Sequence, residues 1–211
     1  MKTKIRKFRR KRIKPKNAII NNERIIILTF LYLAGVLLGS FIIKNADEGL
    51  LATVKELTES YINNKSFQSV LSGFLSYFIP DAVLAVISAV FGLSLIGELV
   101  IWWVPLFRGI GLGIICSYLL SSYELGGLLY NIVIIIVPAV FSVCALLLCC
   151  KENLLTTVKI RRRLKEGKVS GEENEIKFYI LRNVILMSII ILSAALGSIL
   201  SYTLSGKLSP L

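Results

Sequence analysis

The chain has no histidine among its 211 residues. That excludes a Ser-His-Asp triad and any metal centre built on imidazole. Cysteine is scarce too: Cys116, Cys144, Cys149 and Cys150 all lie inside or at the end of apolar runs, with neither the spacing of a metal site nor the setting of a disulfide framework. They read as small packing residues; the sharper alternative is acylation of Cys149 or Cys150 beside Lys151. No Gly-rich phosphate loop and no carboxylate pair near a cavity signature occur. Acid is missing altogether from the opening MKTKIRKFRRKRIKPK, in which ten of sixteen residues are Lys or Arg. That block lacks the repeated aromatic interleaving of a nucleic-acid-binding segment, so no nucleic-acid partner is expected. The expectations are no enzyme, no cofactor and no metal.

What the chain does have is apolar length. Hydrophobic residues make up 55% of it, the mean hydropathy is +0.73, and several runs approach the 20 or so residues that cross a bilayer. The fold class expected is all-α: a polytopic membrane helix bundle of five transmembrane helices plus two amphipathic extracytoplasmic helices. The net charge of +12 reports topology, because the basic residues are confined to particular loops. Residues 1–24 form a basic, disordered cytoplasmic tail, and residues 25–204 a single bundle domain. The spans fall at about 25–43, 82–101, 106–121, 128–150 and 181–204, with an extracytoplasmic segment at 44–81, a basic cytoplasmic loop at 151–180 and an outer tail at 205–211. With the N-terminus inside and the C-terminus outside, the cytoplasmic segments, counted with Arg182 at the inner edge of the fifth span, hold 20 Lys or Arg and the outer segments four. Four or six spans would strand a basic block outside or bring the tail in.

Within the segment 44–81, Leu50, Val54, Leu57 and Tyr61 recur at helical spacing, and a second stripe runs through Phe67, Val70, Leu71, Phe74, Leu75, Phe78 and Ile79. Pro80-Asp81 should end that second helix and start the next span, with Asp81 as an N-cap. The run 91–120 is too long for one span, so a tight turn near 103–105 is expected, with Trp102-Trp103 as an interfacial belt. Glu98 and Arg108 would then lie on facing helices and form a structural ion pair. Gly35 and Gly39 on the first span, Gly92 on the second, Gly109 and Gly113 on the third and Gly197 on the fifth sit on small-residue faces suited to helix packing. Pro138 should kink the fourth span, with Asn131 on the same face.

The order of these features resembles the stage II sporulation protein M family. The resemblance rests on LAGVLLGS at 33–40, GLSLIG at 92–97, LFRGIGLG at 106–113, VPAVF at 137–141 and the final SPL. It implies a mother-cell membrane protein that holds extracytoplasmic peptidoglycan hydrolases, an amidase and a lytic transglycosylase, at the septum during engulfment. Leu57, Tyr61, Phe67, Phe74 and Phe78 are the expected partner-binding residues, alongside contact with the lipid bilayer. Assembly as a homo-oligomer stays open. The competing class is a transporter or permease-type subunit working with a cytoplasmic ATPase, for which Glu98, Arg108 and a kinked fourth span would matter.

Overall fold

The computed structural model describes residues 15–63, 70–130, 135–166 and 173–204. Among the described residues six helices run in order: α1 (Pro15–Lys44), α2 (Glu48–Asn63), α3 (Val70–Gly92), α4 (Gly97–Tyr130), α5 (Val137–Lys165) and α6 (Glu173–Leu204). No strand occurs among the described residues. Among the described residues five helices are long and apolar enough to cross a membrane: Glu23–Lys44, Gly73–Gly92, Gly97–Ser121, Val137–Leu164 and Glu175–Thr203. The chain is a multi-pass helix bundle whose apolar helices fit a lipid bilayer.

The sixth helix, α2, is amphipathic and too polar to cross. Glu48 in its first turn suits the positive end of the helix dipole. Its apolar edge is held down: Val54 and Leu51 pack on Ile43 at the end of α1 and on Ile114 and Tyr118 of α4. The second expected amphipathic helix is not separate. Residues from Val70 onward run without a break through Pro80 into the span itself, because an intramembrane helix tolerates a proline where neighbouring helices take up the freed backbone groups. The second span therefore ends at Gly92, nine residues earlier than the sequence suggested.

The turn between the second and third spans moves with it. Leu93–Ile96 make the reversal, through the Ser94 amide donating to the Phe91 carbonyl at 2.9 Å and the Gly97 amide to that of Ser94 at 3.3 Å. A side chain at Gly97 would collide with the Phe91 carbonyl. Trp102 and Trp103, expected at the turn, lie inside α4 with Pro105; Trp102 packs on the core, and Trp103 sits exposed 6.2 Å from the Phe107 ring. Pro138 stands in the first turn of α5, directly after the helical Ile135 and Ile136; the kink expected at it falls on a stretch that includes residues 131–134, outside the described residues.

α5 is the central rod. It supplies seven of the twelve residues of the main buried cluster, and 56% of its most apolar window is buried against 17% for α1. α3, α4, α6 and α1 surround it, with α1 lying along α4 and α6 along α3. Ile26, Phe30, Leu33, Leu37 and Phe41 project from α1 away from the bundle, an apolar face at helical spacing that lipid would cover. The polar C-terminal part of α5 carries Arg161, Arg162 and Arg163 to the end of the bundle opposite α2, beside the start of α6. The opening residues 1–14, Phe67, Asn131 and the tail 205–211 lie outside the described residues, as do the side chains of Leu57 and Tyr61.

Candidate functional site

Asp81 and Arg108 meet face to face. The guanidinium of Arg108 spans both carboxylate oxygens: Nε donates to Oδ1, and Nη2 donates to Oδ2 at 3.2 Å. Asp81 is 3% exposed and Arg108 17%, so the pair is shut inside the bundle. Its depth follows from the hairpin. Asp81 stands eleven residues before the end of α3 and Arg108 eleven after the start of α4. At about 1.5 Å per residue each lies roughly 16 Å from the turn, near the middle of a hydrocarbon layer about 30 Å thick.

At that depth either charge alone is expensive, about 2.5–3.5 kcal/mol by insertion scales for a charged residue at a helix centre. A two-point fork between opposite charges is the arrangement that answers this, because each hydrogen bond is charge-assisted and the geometry is fixed. Tyr32 of α1 lies within electrostatic range of both charges, as it does of Cys116 and Cys144.

The expected Glu98–Arg108 pair does not form. Both residues lie on α4, ten positions and about 15 Å of rise apart. Glu98 instead pairs with Arg161 of α5 at 2.7 Å, and Asp81, expected as a cap, is the partner of Arg108. The reason is the displaced turn. Moving it from 103–105 to 93–96 puts Asp81 inside a span and Glu98 at a helix start.

A second polar layer closes the end of the bundle away from α2. The last carbonyls of α3 and its turn have no intrahelical partners, and side chains from α5 and α6 satisfy them. Tyr179 donates to the Ala89 carbonyl at 2.6 Å, Thr157 to that of Gly92 at 2.9 Å and Arg161 to that of Leu95 at 3.2 Å. Beneath them, Asn153 donates to the Ser88 hydroxyl at 2.8 Å. Gly92 makes room for this: a Cβ there would fall 2.9 Å from the Cβ of Asn153 and onto the Tyr179 hydroxyl. Arg182–Glu152 at 2.6 Å and Arg163–Glu175 tie α5 to α6 at the same end. Thr157→Val and Tyr179→Phe should each strand a carbonyl and lower stability by about 1–3 kcal/mol. Thermal unfolding of detergent-solubilised protein reads both.

The glycine faces meet in an order the sequence did not specify. Gly35 and Gly39 of α1 lie against α4, where a side chain on either would strike the carbonyl of Leu106 or Ile110. Gly109 and Gly113 answer from α4, abutting the carbonyls of Tyr32 and Val36. The tight seam is thus α1 with α4. Gly197 seats α6 against Pro138 and the Tyr77 ring, each 3.2 Å from where its Cβ would be.

Of the expected partner residues, Phe74 and Phe78 stack on each other at 5.4 Å. Phe78 packs on the buried cluster, so it belongs to the bundle. Cys149 and Cys150 are 2% and 0% exposed, so neither of these two thiols is open to an acyl chain in this fold. Among the described residues no group of three His, Cys, Asp or Glu could hold a metal ion. Asn153, Thr157, Tyr179 and Arg161 carry contacts that sequence reading missed. A run of single polar residues inside apolar helices, at 88, 153, 157 and 179, was the available signal.

The family model described as Stage II sporulation protein M matches residues 26–174. The chain belongs to that family. Searches of curated proteins and of solved structures gave no match. For this stage II sporulation protein M relative, membership means a sporulation-related membrane protein. The matched stretch runs from α1 to the first residues of α6 and contains the Asp81–Arg108 pair, the glycine seam and Arg161. Tyr179 and Gly197 of α6 lie beyond it.

Proposed function

We propose that the protein is a non-enzymatic membrane scaffold that holds peptidoglycan hydrolases, an amidase and a lytic transglycosylase, at the septum during engulfment of the forespore. In this reading the N-terminus is cytoplasmic, the C-terminus lies on the wall side, and the α2 end of the bundle faces the wall. The observation that carries it is the seating of α2. Its buried edge, Val54 with Leu51, fastens it to α1 and α4. Leu50, Thr53 and Glu56 are exposed on it, at the end opposite Arg161, Arg162 and Arg163. Basic residues stay on the cytoplasmic side of a membrane, so the same asymmetry turns α2 outward, where such hydrolases act.

A permease-type role would call on the charged pair at mid-depth. Against it, Arg108 and Asp81 are committed to each other, and the neighbouring α1–α4 contact is a closed backbone seam. The scaffold reading is tested by co-purification. Leu50→Glu and Glu56→Arg, which change only exposed positions, should reduce recovered hydrolase at least tenfold with membrane insertion intact. Unchanged recovery in both would count against a docking surface on α2.

A further inference from the structure

We propose that the Asp81–Arg108 pair is the register pin of the bundle: it fixes the rotation of α4 and so decides that its glycines, and no other face, meet α1. Arg108 and Gly109 are consecutive yet serve opposite neighbours. Arg108 reaches α3 through Asp81, while Gly109 abuts the α1 backbone at Tyr32 and Val36. One residue turns a helix by roughly 100°, so holding Arg108 on α3 holds Gly109, and Gly113 one turn on, against α1.

The glycine seam favours that rotation, since a larger side chain there would meet facing backbone, but it is held by close packing alone, and in lipid no hydrophobic term adds to it. The fork of Arg108 on Asp81 is directional, and it sits at equal distance from the turn on both helices of the hairpin. The pair therefore supplies orientation, and the seam supplies closeness. What matters is that opposite charges face each other, whichever helix bears which.

The test uses full-length protein in membranes, with the four native cysteines replaced by alanine. Reporter cysteines replace Ile43 of α1 and Tyr118 of α4, which share one buried cluster. Cross-linking by a short bismaleimide then reads whether α1 meets the correct face of α4. Three changes are compared: Asp81→Asn, the exchange Asp81→Arg with Arg108→Asp, and the apolar double Asp81→Leu with Arg108→Leu. The single change should lower the cross-linked fraction at least fivefold, and the exchange should restore it to at least half. The apolar double removes the insertion penalty, so it should reach the membrane at normal yield but cross-link at least threefold less. Should the single change fail to accumulate, the exchange and the apolar double still decide. Normal cross-linking in the apolar double, or an exchange no better than the single change, would overturn the proposal.

Discussion

Asp81→Leu is expected to be the most damaging single substitution in the molecule, at about 3–5 kcal/mol, the range for breaking a buried pair by removing one partner. It should exceed Arg108→Leu, although both break the same contact. The guanidinium left by losing Asp81 cannot shed its charge, whereas the carboxyl left by losing Arg108 can take up a proton and become neutral. Nor can Arg108 escape by snorkelling, because roughly 16 Å of helix separates it from the turn and its side chain reaches less than half of that. Folded yield after detergent extraction, compared for the two variants, is the measurement. Equal yields would mean that Arg108 finds water or a lipid headgroup at its depth.

The second large effect is expected at the seam. Gly39→Leu should drive a side chain into the backbone of α4 at Ile110, and Gly109→Leu into that of α1 at Tyr32. Overpacking usually costs about 1–3 kcal/mol when side chains can give way. Here the obstacle is a carbonyl on a packed helix, so the helices themselves must part and the loss should reach or pass the top of that range. Gly111 is the internal control, since a Cβ there meets nothing within 4 Å. Gly111→Leu should unfold within a few degrees of the parent in a thermal scan, and the seam variants far below it.

These two sites were unequally legible in the sequence. The number of spans was readable because lipid imposes length and apolarity on each segment, and basic residues accumulate on one side. Where the second and third spans begin and end was not. Pro80-Asp81 carries the signal of a helix start in water, but inside a bundle the proline is tolerated and the aspartate is bonded to Arg108. Taking the two residues as a boundary started the second span too late, and reading Trp102-Trp103 as an interfacial belt set the turn ten positions too far along, which paired Arg108 with Glu98, a residue of the layer at the helix ends.

The glycines show a different limit. Gly35, Gly39, Gly109 and Gly113 were visible as small-residue faces, because nothing else in a transmembrane helix explains four-residue spacing so simply. Which face met which was not, since four of the spans carry such faces and glycine has no chemistry that names its partner. The polar contacts of Asn153, Thr157 and Tyr179 with α3 escaped for a related reason. A single hydroxyl or amide in an apolar helix announces a partner without saying that the partner is a backbone carbonyl left over at the end of another helix.

The account depends most on which way the bundle is threaded: turn 93–96 on the cytoplasmic side, and α2 on the wall side. In a cysteine-free background, Ser94→Cys and Glu56→Cys can be labelled in intact cells with a membrane-impermeant maleimide, before and after permeabilisation. Glu56→Cys should label at once and Ser94→Cys only after the membrane is opened. The reverse order would place α2 in the cytosol, away from any wall hydrolase, and contradict the proposed scaffold outright.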